Sequence, residues 1–196
     1  NATQTYGALT PAEIAGIKSS ISAEENVKNI AEQRKKQEET VTKEKEKQTK
    51  QALTQKAIAA ASNEQTRNML MVYQALSKAG LPDNAARYLT AEIGREGSYQ
   101  NKNLFGSHKD ANNGYANTGM ISWQKDRSKA LMAFLRSQGV IDDKGQIKQT
   151  QEALDAQAEF LVNELFSNKT YSKSKNALLS GNGYKDLQQT VGNNFI

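Results

Sequence analysis

Between residues 10 and 62 the apolar positions begin at helical spacing and then thin almost to nothing. Ile14, Ile17 and Ile21 recur three and four apart, Val27 and Ile30 follow, and from Ala31 to Ala52 the one large apolar side chain is Val41. Thr10, Pro11 and Glu13 form a capping signal, and no Gly or Pro interrupts the chain between Gly16 and Gly80, so the pattern predicts one long, charged N-terminal helix. A seam this sparse buries too little for a lone coiled coil. Residues 32–51 are therefore either a solvated spacer, helical or disordered when free, or a segment that docks on a partner assembly. Residues 1–9 carry no period and are expected to be loose.

Near Ala57 the pattern becomes that of a packed domain. Residues 63–79 put Met69, Leu70, Val72, Tyr73 and Leu76 on one broad helical face, and Gly80 with Pro82 end it. Residues 82–96 start on Pro82 with Asp83 or Asn84 as cap, and carry Ala86, Leu89, Ala91 and Ile93 inward until Gly97. Residues 97–119 are rich in Gly, Asn, Ser and Lys, the chemistry of turns and of a small hairpin. Residues 125–139, with Ala130, Leu131, Phe134 and Leu135, and residues 150–166, with Leu154, Phe160, Leu161, Val162 and Leu165, read as two more amphipathic helices. A short helix near 176–181 and one or two more in the tail complete the chain. Strand patterning is nearly absent. The predicted fold class is mainly α with a small loop-and-hairpin insert, divided into a charged helical extension, 1–62, and a domain, 63–196.

A length of 196 residues suits one ordinary domain plus an appendage. Cysteine is absent, which excludes disulfides, thiolate metal sites and a cysteine nucleophile. The single histidine, His108, excludes multi-histidine zinc sites and reads more simply as a loop residue than as a catalytic base. Asp110, Asn112 and Asn113 precede Gly114, but the spaced ligands and closing Glu of a calcium loop are missing. No Gly-rich phosphate loop and no serine elbow occurs, so neither metal nor cofactor is expected. No run reaches the roughly 18 apolar residues of a membrane span, and no charged-then-apolar signal segment opens the chain. Its start on Asn suggests a piece processed or excised from something larger. The net charge of +5 permits a polyanionic partner. It is spread thinly along both segments, without the basic patch and interleaved aromatics of a specific nucleic-acid binder.

The stretch "EIGREGSYQNKNLFG", residues 92–106, sets Glu92 and Glu96 one helical turn apart at a helix end that opens into a polar loop. A carboxylic acid that protonates a leaving group near neutral pH needs an enclosed, apolar surround, and the end of a buried helix facing a cleft offers one. On spacing alone Glu96 reads first as a solvated charge at a helix end, with Arg95 as its salt-bridge partner.

Three stretches carry a resemblance that changes this weighting. "IGREGSY", residues 93–99, resembles the helix-ending I-x-R-E-S of goose-type lysozymes; "TGMISWQKDR", residues 118–127, resembles the G-L-M-Q or G-L-x-Q-W segment of that superfamily; and "QAEFLVNEL", residues 157–165, is similar to a Q-x-x-F-x-x-x-E-L helix that packs behind the site in phage tail domains. Over residues 63–190 the chain thus resembles the lysozyme-like superfamily of peptidoglycan glycosidases, which includes lytic transglycosylases and the lysozyme domains of phage tail and injected virion proteins. The resemblance implies a lysozyme-like α+β fold and cleavage of the MurNAc-GlcNAc β-1,4 linkage with Glu96 as general acid.

It further implies Asp110 and Asp126 as candidates for a second carboxylate, and Gly119, Trp123 and Gln124 as the strand and turn lining the sugar subsites. Because the segment reads "GMISWQ" where the superfamily has "GLMQ", either Ser122 or Gln124 takes the part of the glutamine. Trp123 is a sugar-stacking or a core residue, and Tyr99 and Tyr115 are subsite walls or core residues on the same footing. If an aspartate positions water, the reaction is hydrolysis; if none does, the muramoyl 6-hydroxyl closes the ring, as in lytic transglycosylation. The implied partners are peptidoglycan and, through the N-terminal helix, virion or tail proteins, with action at the periplasm and cell wall during genome delivery. A structural virion or secretion protein that only binds glycan is the alternative outside enzymology.

Overall fold

The computed structural model describes residues 10–109, 114–181, 183–192 and 195; the segment 1–9 and Asp110 lie outside them. The chain divides into two compact units, Asn1–Lys50 and Gln51–Ile196. Helix α1, Pro11–Ala59, begins in a capping box: Thr10 N–H and Oγ1–H donate to Glu13 Oε2 at 2.8 and 2.7 Å, and Glu13 N–H returns to Thr10 Oγ1 at 3.3 Å. Val27, Ile30 and Val41 are exposed on it. Between them the helix rests on its cap and on its many Ala, Glu, Gln and Lys residues, not on buried area. The long charged N-terminal helix is therefore present as the sequence predicts.

The second unit is mainly helical. It contains α2 (Glu64–Lys78), α3 (Asp83–Gly97), the single turn α4 (Asn101–Leu104), strands β1 (Ser107–Lys109) and β2 (Ala116–Thr118), α5 (Lys125–Ser137), α6 (Gln151–Ser167), α7 (Ser172–Leu179) and α8 (Tyr184–Leu187). A 3-10 turn, Lys169–Tyr171, precedes α7, and a π-helical turn, Gln188–Gly192, follows α8. Asn63 caps α2 by accepting from Thr66 N–H at 2.8 Å, and Thr150 caps α6 by accepting from Ala153 N–H at 3.3 Å.

Helix α6 is the centre of this unit. Its residues Ala153, Leu154, Ala156, Gln157, Ala158, Leu161 and Leu165 are buried on most of its circumference, and it packs against α2, α5 and α7. Alanines Ala75, Ala153 and Ala158, all without exposed area, let α2 and α6 approach closely, while Leu76, Leu89, Leu131 and Leu135 fill the space around them. Each buried leucine contributes about 1.5–3 kcal/mol.

Strands β1 and β2 pair antiparallel with Ser107 opposite Thr118, His108 opposite Asn117 and Lys109 opposite Ala116. The chain then turns at once, and Thr118 bridges to Trp123. Helix α3 packs against α2, α7 and α8, which brings its last turn beside this hairpin's second strand.

The end of α3 departs from expectation. Gly97 is the last helical residue, and the left-handed conformation falls on Ser98 (φ 51°) and Tyr99 (φ 52°) instead. Two side-chain-bearing residues are held in a strained region by specific contacts. Buried Asn68 donates to Tyr99 O and Asn101 Oδ1, both at 2.8 Å, and Asn103 donates to Gly97 O at 2.8 Å. The Tyr99 ring folds back on the helix, its hydroxyl donating to Thr90 O at 2.7 Å. A Cβ at Gly94 would meet the Tyr99 ring at 2.3 Å, so Gly94 makes room for this return.

Candidate active site

The last turn of α3 and the segment after β2 face each other across a groove of about 380 Å³. One wall is Glu92, Ile93, Arg95 and Glu96; the other is Asn117, Met120, Ile121, Ser122 and Gln124, with Arg127 of α5 and Phe195 of the C-terminal segment closing one end.

The second wall is hung on α6. Gly119 has φ 70°, and a Cβ there would stand 2.4 Å from Gln157 Oε1. That oxygen accepts from Met120 N–H at 2.8 Å, and Gln157 Nε2 donates to Leu104 O at 3.1 Å, so one fully buried amide ties α6 to the turn and to α4. Farther along, Glu164 accepts from Trp123 Nε1–H at 3.1 Å and from Arg127 Nε and Nη2 at 2.7 and 2.8 Å. The Arg127 guanidinium also lies 5.7 Å from the Tyr171 ring centroid and 5.4 Å from that of Phe195. Burial alone would lower the Arg127 pKa, but the hydrogen bonds and charge of Glu164 outweigh it and the net shift is upward. The glutamine and glutamate of "QAEFLVNEL" are thus the two pegs on which "TGMISWQKDR" is fastened.

Backbone strain collects at the same place. The non-glycine residues with positive φ among the described residues are Ser98, Tyr99, Ser122 and Lys125; the first pair follows Glu96 and the second brackets Trp123 and Gln124. Such conformations cost on the order of 1–3 kcal/mol each and concentrate where a protein must hold an unusual shape.

The charges of the first wall form one cluster. Glu92 is completely buried. Its Oε2 accepts from Arg95 Nε and Nη2 at 2.9 and 2.7 Å, and its Oε1 accepts from Tyr184 Oη–H at 2.6 Å. The remaining Arg95 amino group, Nη1, contacts Glu96 Oε1 at 2.6 Å, and the Glu96 side chain is 53% exposed. Glu92 raises the pKa of its neighbours: Arg95 through hydrogen bonding and charge, Tyr184 chiefly through the hydrogen bond it donates. Tyr88, buried beneath and packed edge-on against Tyr184 at 5.3 Å, is pushed up to about 12 by burial first and by the Glu92 charge second. The groove therefore carries a fixed buried carboxylate, a shared guanidinium and a second carboxylate open to whatever enters.

Of the residues the sequence singles out, Glu92, Glu96, Ser122 and Gln124 line this groove. Gln124 donates to Asn117 Oδ1 at 2.5 Å, which steadies both amides on the wall. Gly119 is buried behind it and shapes the turn without lining it. Trp123 has no exposed area and packs edge-on against Phe160 at 5.8 Å, so it is a core residue and not a sugar platform. Tyr99 packs on α3, as above, and is a strut of the helix end. Tyr115 is exposed away from the groove lining, with Lys125 Nζ 4.2 Å from its ring centroid. The Asp126 side chain is 94% exposed and pairs with Lys129 at 3.1 Å, outside the lining. His108 lies on β1 opposite Asn117.

Asn117, Arg127, Tyr184 and Phe195 belong to the site without being singled out by the sequence pattern. Arg127 stands inside the quoted "TGMISWQKDR" and carried a signal; Tyr184 and Phe195 reach the site from a tail whose sequence has no period. Among the described residues no cluster of His, Asp or Glu suits a metal ion, and no helix is long and apolar enough to cross a membrane. No family model matches the chain, and no curated protein and no solved structure gives a significant match.

Proposed function

We propose that the unit Gln51–Ile196 is a peptidoglycan glycosidase domain of the lysozyme-like kind, in which Glu96 donates a proton to the oxygen of the MurNAc-GlcNAc β-1,4 linkage. One observation carries the reading: of three stretches far apart in sequence, 93–99 and 118–127 supply facing walls of one groove that presents Glu96, and 157–165 fastens the second wall from behind. A wall of amides and a hydroxyl, Asn117, Gln124 and Ser122, suits the hydroxyl and acetamido groups of an aminosugar. The strained turns on both walls support it, since such conformations gather at sites of function.

In this mechanism the sugar enters the groove, the Arg95–Glu96 contact opens, the released Glu96 carboxylate takes up a proton from solvent, and it passes that proton to the leaving oxygen as the ring flattens toward an oxocarbenium ion. Arg127 and Gln124 fix the opposite wall. What attacks the oxocarbenium decides between a hydrolase and a lytic transglycosylase. Asp126 is exposed and is not among the residues lining the groove, which weighs against it as the group that positions water; the other candidate, Asp110, is outside the described residues. The helical extension fits a larger virion component, and the activity fits local opening of the cell wall during genome delivery.

A non-catalytic glycan-binding module is the second reading, and the exposed, ion-paired state of Glu96 favours it. Zymography on purified peptidoglycan separates the two: an enzyme clears the substrate, whereas a binder is retained on it without clearing.

A further inference from the structure

Glu92 is the carboxylate among the described residues that has no exposed area, and proton donation by Glu96 gives it no task. Full burial of an ionised carboxylate is costly unless it is paired and hydrogen-bonded on both oxygens. Both are engaged here, from two different elements: Arg95 on α3 takes Oε2 through Nε and Nη2, and Tyr184 on α8 takes Oε1. Among the described residues Glu96 has one ion-pair contact, from the nitrogen of Arg95 that Glu92 leaves over.

The geometry points to Glu92 as a positioning residue for Glu96: by holding Arg95 through two of its nitrogens, it limits Glu96 to a single contact that a sugar in the groove displaces. This rests on Glu96 being the proton donor. A guanidinium with undivided charge holds a neighbouring carboxylate ionised and in place, and a guanidinium already matched by a buried carboxylate on its other side pulls less. Among the described residues, the charged and titratable groups facing the pair are Glu92 and Tyr88 on α3, Tyr184 on α8 and Arg127 on α5, the last held by Glu164. Tyrosine and arginine stay in one charge state below about pH 9, so the balance in the working range belongs to Glu92, Arg95 and Glu96.

The test is Glu92→Gln in the full chain, read in two ways. Muralytic activity against pH should keep its shape while the basic limb moves to lower pH by about 0.5–1 unit, the effect of removing one charge a helical turn away near a surface, with KM little changed. The Glu96 side-chain carboxyl carbon, assigned by Glu96→Gln in glutamate-labelled protein, should titrate lower by the same amount. A limb and a titration that both stay in place overturn the proposal. The carbon titration needs no turnover: a wild type that does not cleave peptidoglycan defeats the glycosidase reading, while the titration still decides whether Glu92 governs Glu96.

If Glu92→Gln does not fold, the wild type and Glu96→Gln supply the measurement. The Arg95 Nε–H, donated to a fully buried oxygen, should exchange with water more slowly than the Arg87 Nε–H, donated to exposed Asp83 at 2.8 Å, and should keep that protection in Glu96→Gln. Exchange as fast as Arg87, or protection lost with Glu96, overturns the proposal.

Discussion

Replacing Glu164 by leucine removes three hydrogen bonds at once, those from Trp123 Nε1 and from Arg127 Nε and Nη2. The indole N–H has no route to water, because Trp123 is fully buried, and an orphaned buried donor costs about 1–3 kcal/mol. Removing one partner of a buried ion pair costs about 3–5 kcal/mol, but the Arg127 side chain is 36% exposed and recovers part of its hydration. Leucine restores some apolar contact with Phe160 and its neighbours. The net expectation is a loss of about 3 kcal/mol, or roughly 6–12 °C in melting temperature for a unit of this size. Urea unfolding followed by Trp123 fluorescence measures it directly, since the only tryptophan is the reporter at the site. A cycle with Arg127→Met should give a coupling of at least about 1 kcal/mol. A loss under 1 kcal/mol, or additive effects in the cycle, would refute the claim that Glu164 fastens the groove wall.

Other expectations follow from the same geometry. Asp126→Asn should change stability by less than about 0.5 kcal/mol and leave peptidoglycan cleavage within a factor of two; a loss of tenfold or more in a lysis assay would return Asp126 to the site. At alkaline pH the raised Tyr88 value has a definite sign: its stabilising share is full below the unfolded value near 10 and is lost as pH rises through about 12. Unfolding free energy should therefore fall by about 2 kcal/mol over that window beyond the fall seen in Tyr88→Phe. Equal pH slopes in the two proteins would show that Tyr88 plays no part.

How far the sequence speaks depends on whether the signal is local. The cap at Thr10 and Glu13, and the breaks at Gly80 and Gly139, are local chemistry, and helices α1, α2, α3, α5 and α6 follow them within a few residues. That Glu96 ends a helix can be read from the period; that it faces a groove came only from the resemblance of 93–99, 118–127 and 157–165 to one superfamily, since spacing alone reads it as a solvated charge. What Trp123 faces was not legible: its partner Glu164 lies 41 residues away, and nothing near it in the chain distinguishes a buried indole from one stacking on sugar. Whether Tyr99 is a subsite wall or a core residue is open in the sequence, because it follows a glycine and a serine in a polar loop; Asn68 and Gly94 turn it back onto α3. Glu92, one turn before Glu96, reads from the sequence as a neighbour that tunes or orients the site; its full burial does not, because that depends on Tyr184, 92 residues on.

The central claim is that Glu96 is the proton donor of a peptidoglycan glycosidase. It is tested most directly by incubating purified peptidoglycan with the wild type and with Glu96→Gln, and analysing the soluble muropeptides by mass spectrometry. The wild type should release disaccharide-containing fragments, with reducing ends if it hydrolyses or 1,6-anhydro ends if it transglycosylates, and folded Glu96→Gln should be slower by about 10²–10⁴. Release by Glu96→Gln at the wild-type rate, or no release by the wild type, would contradict it.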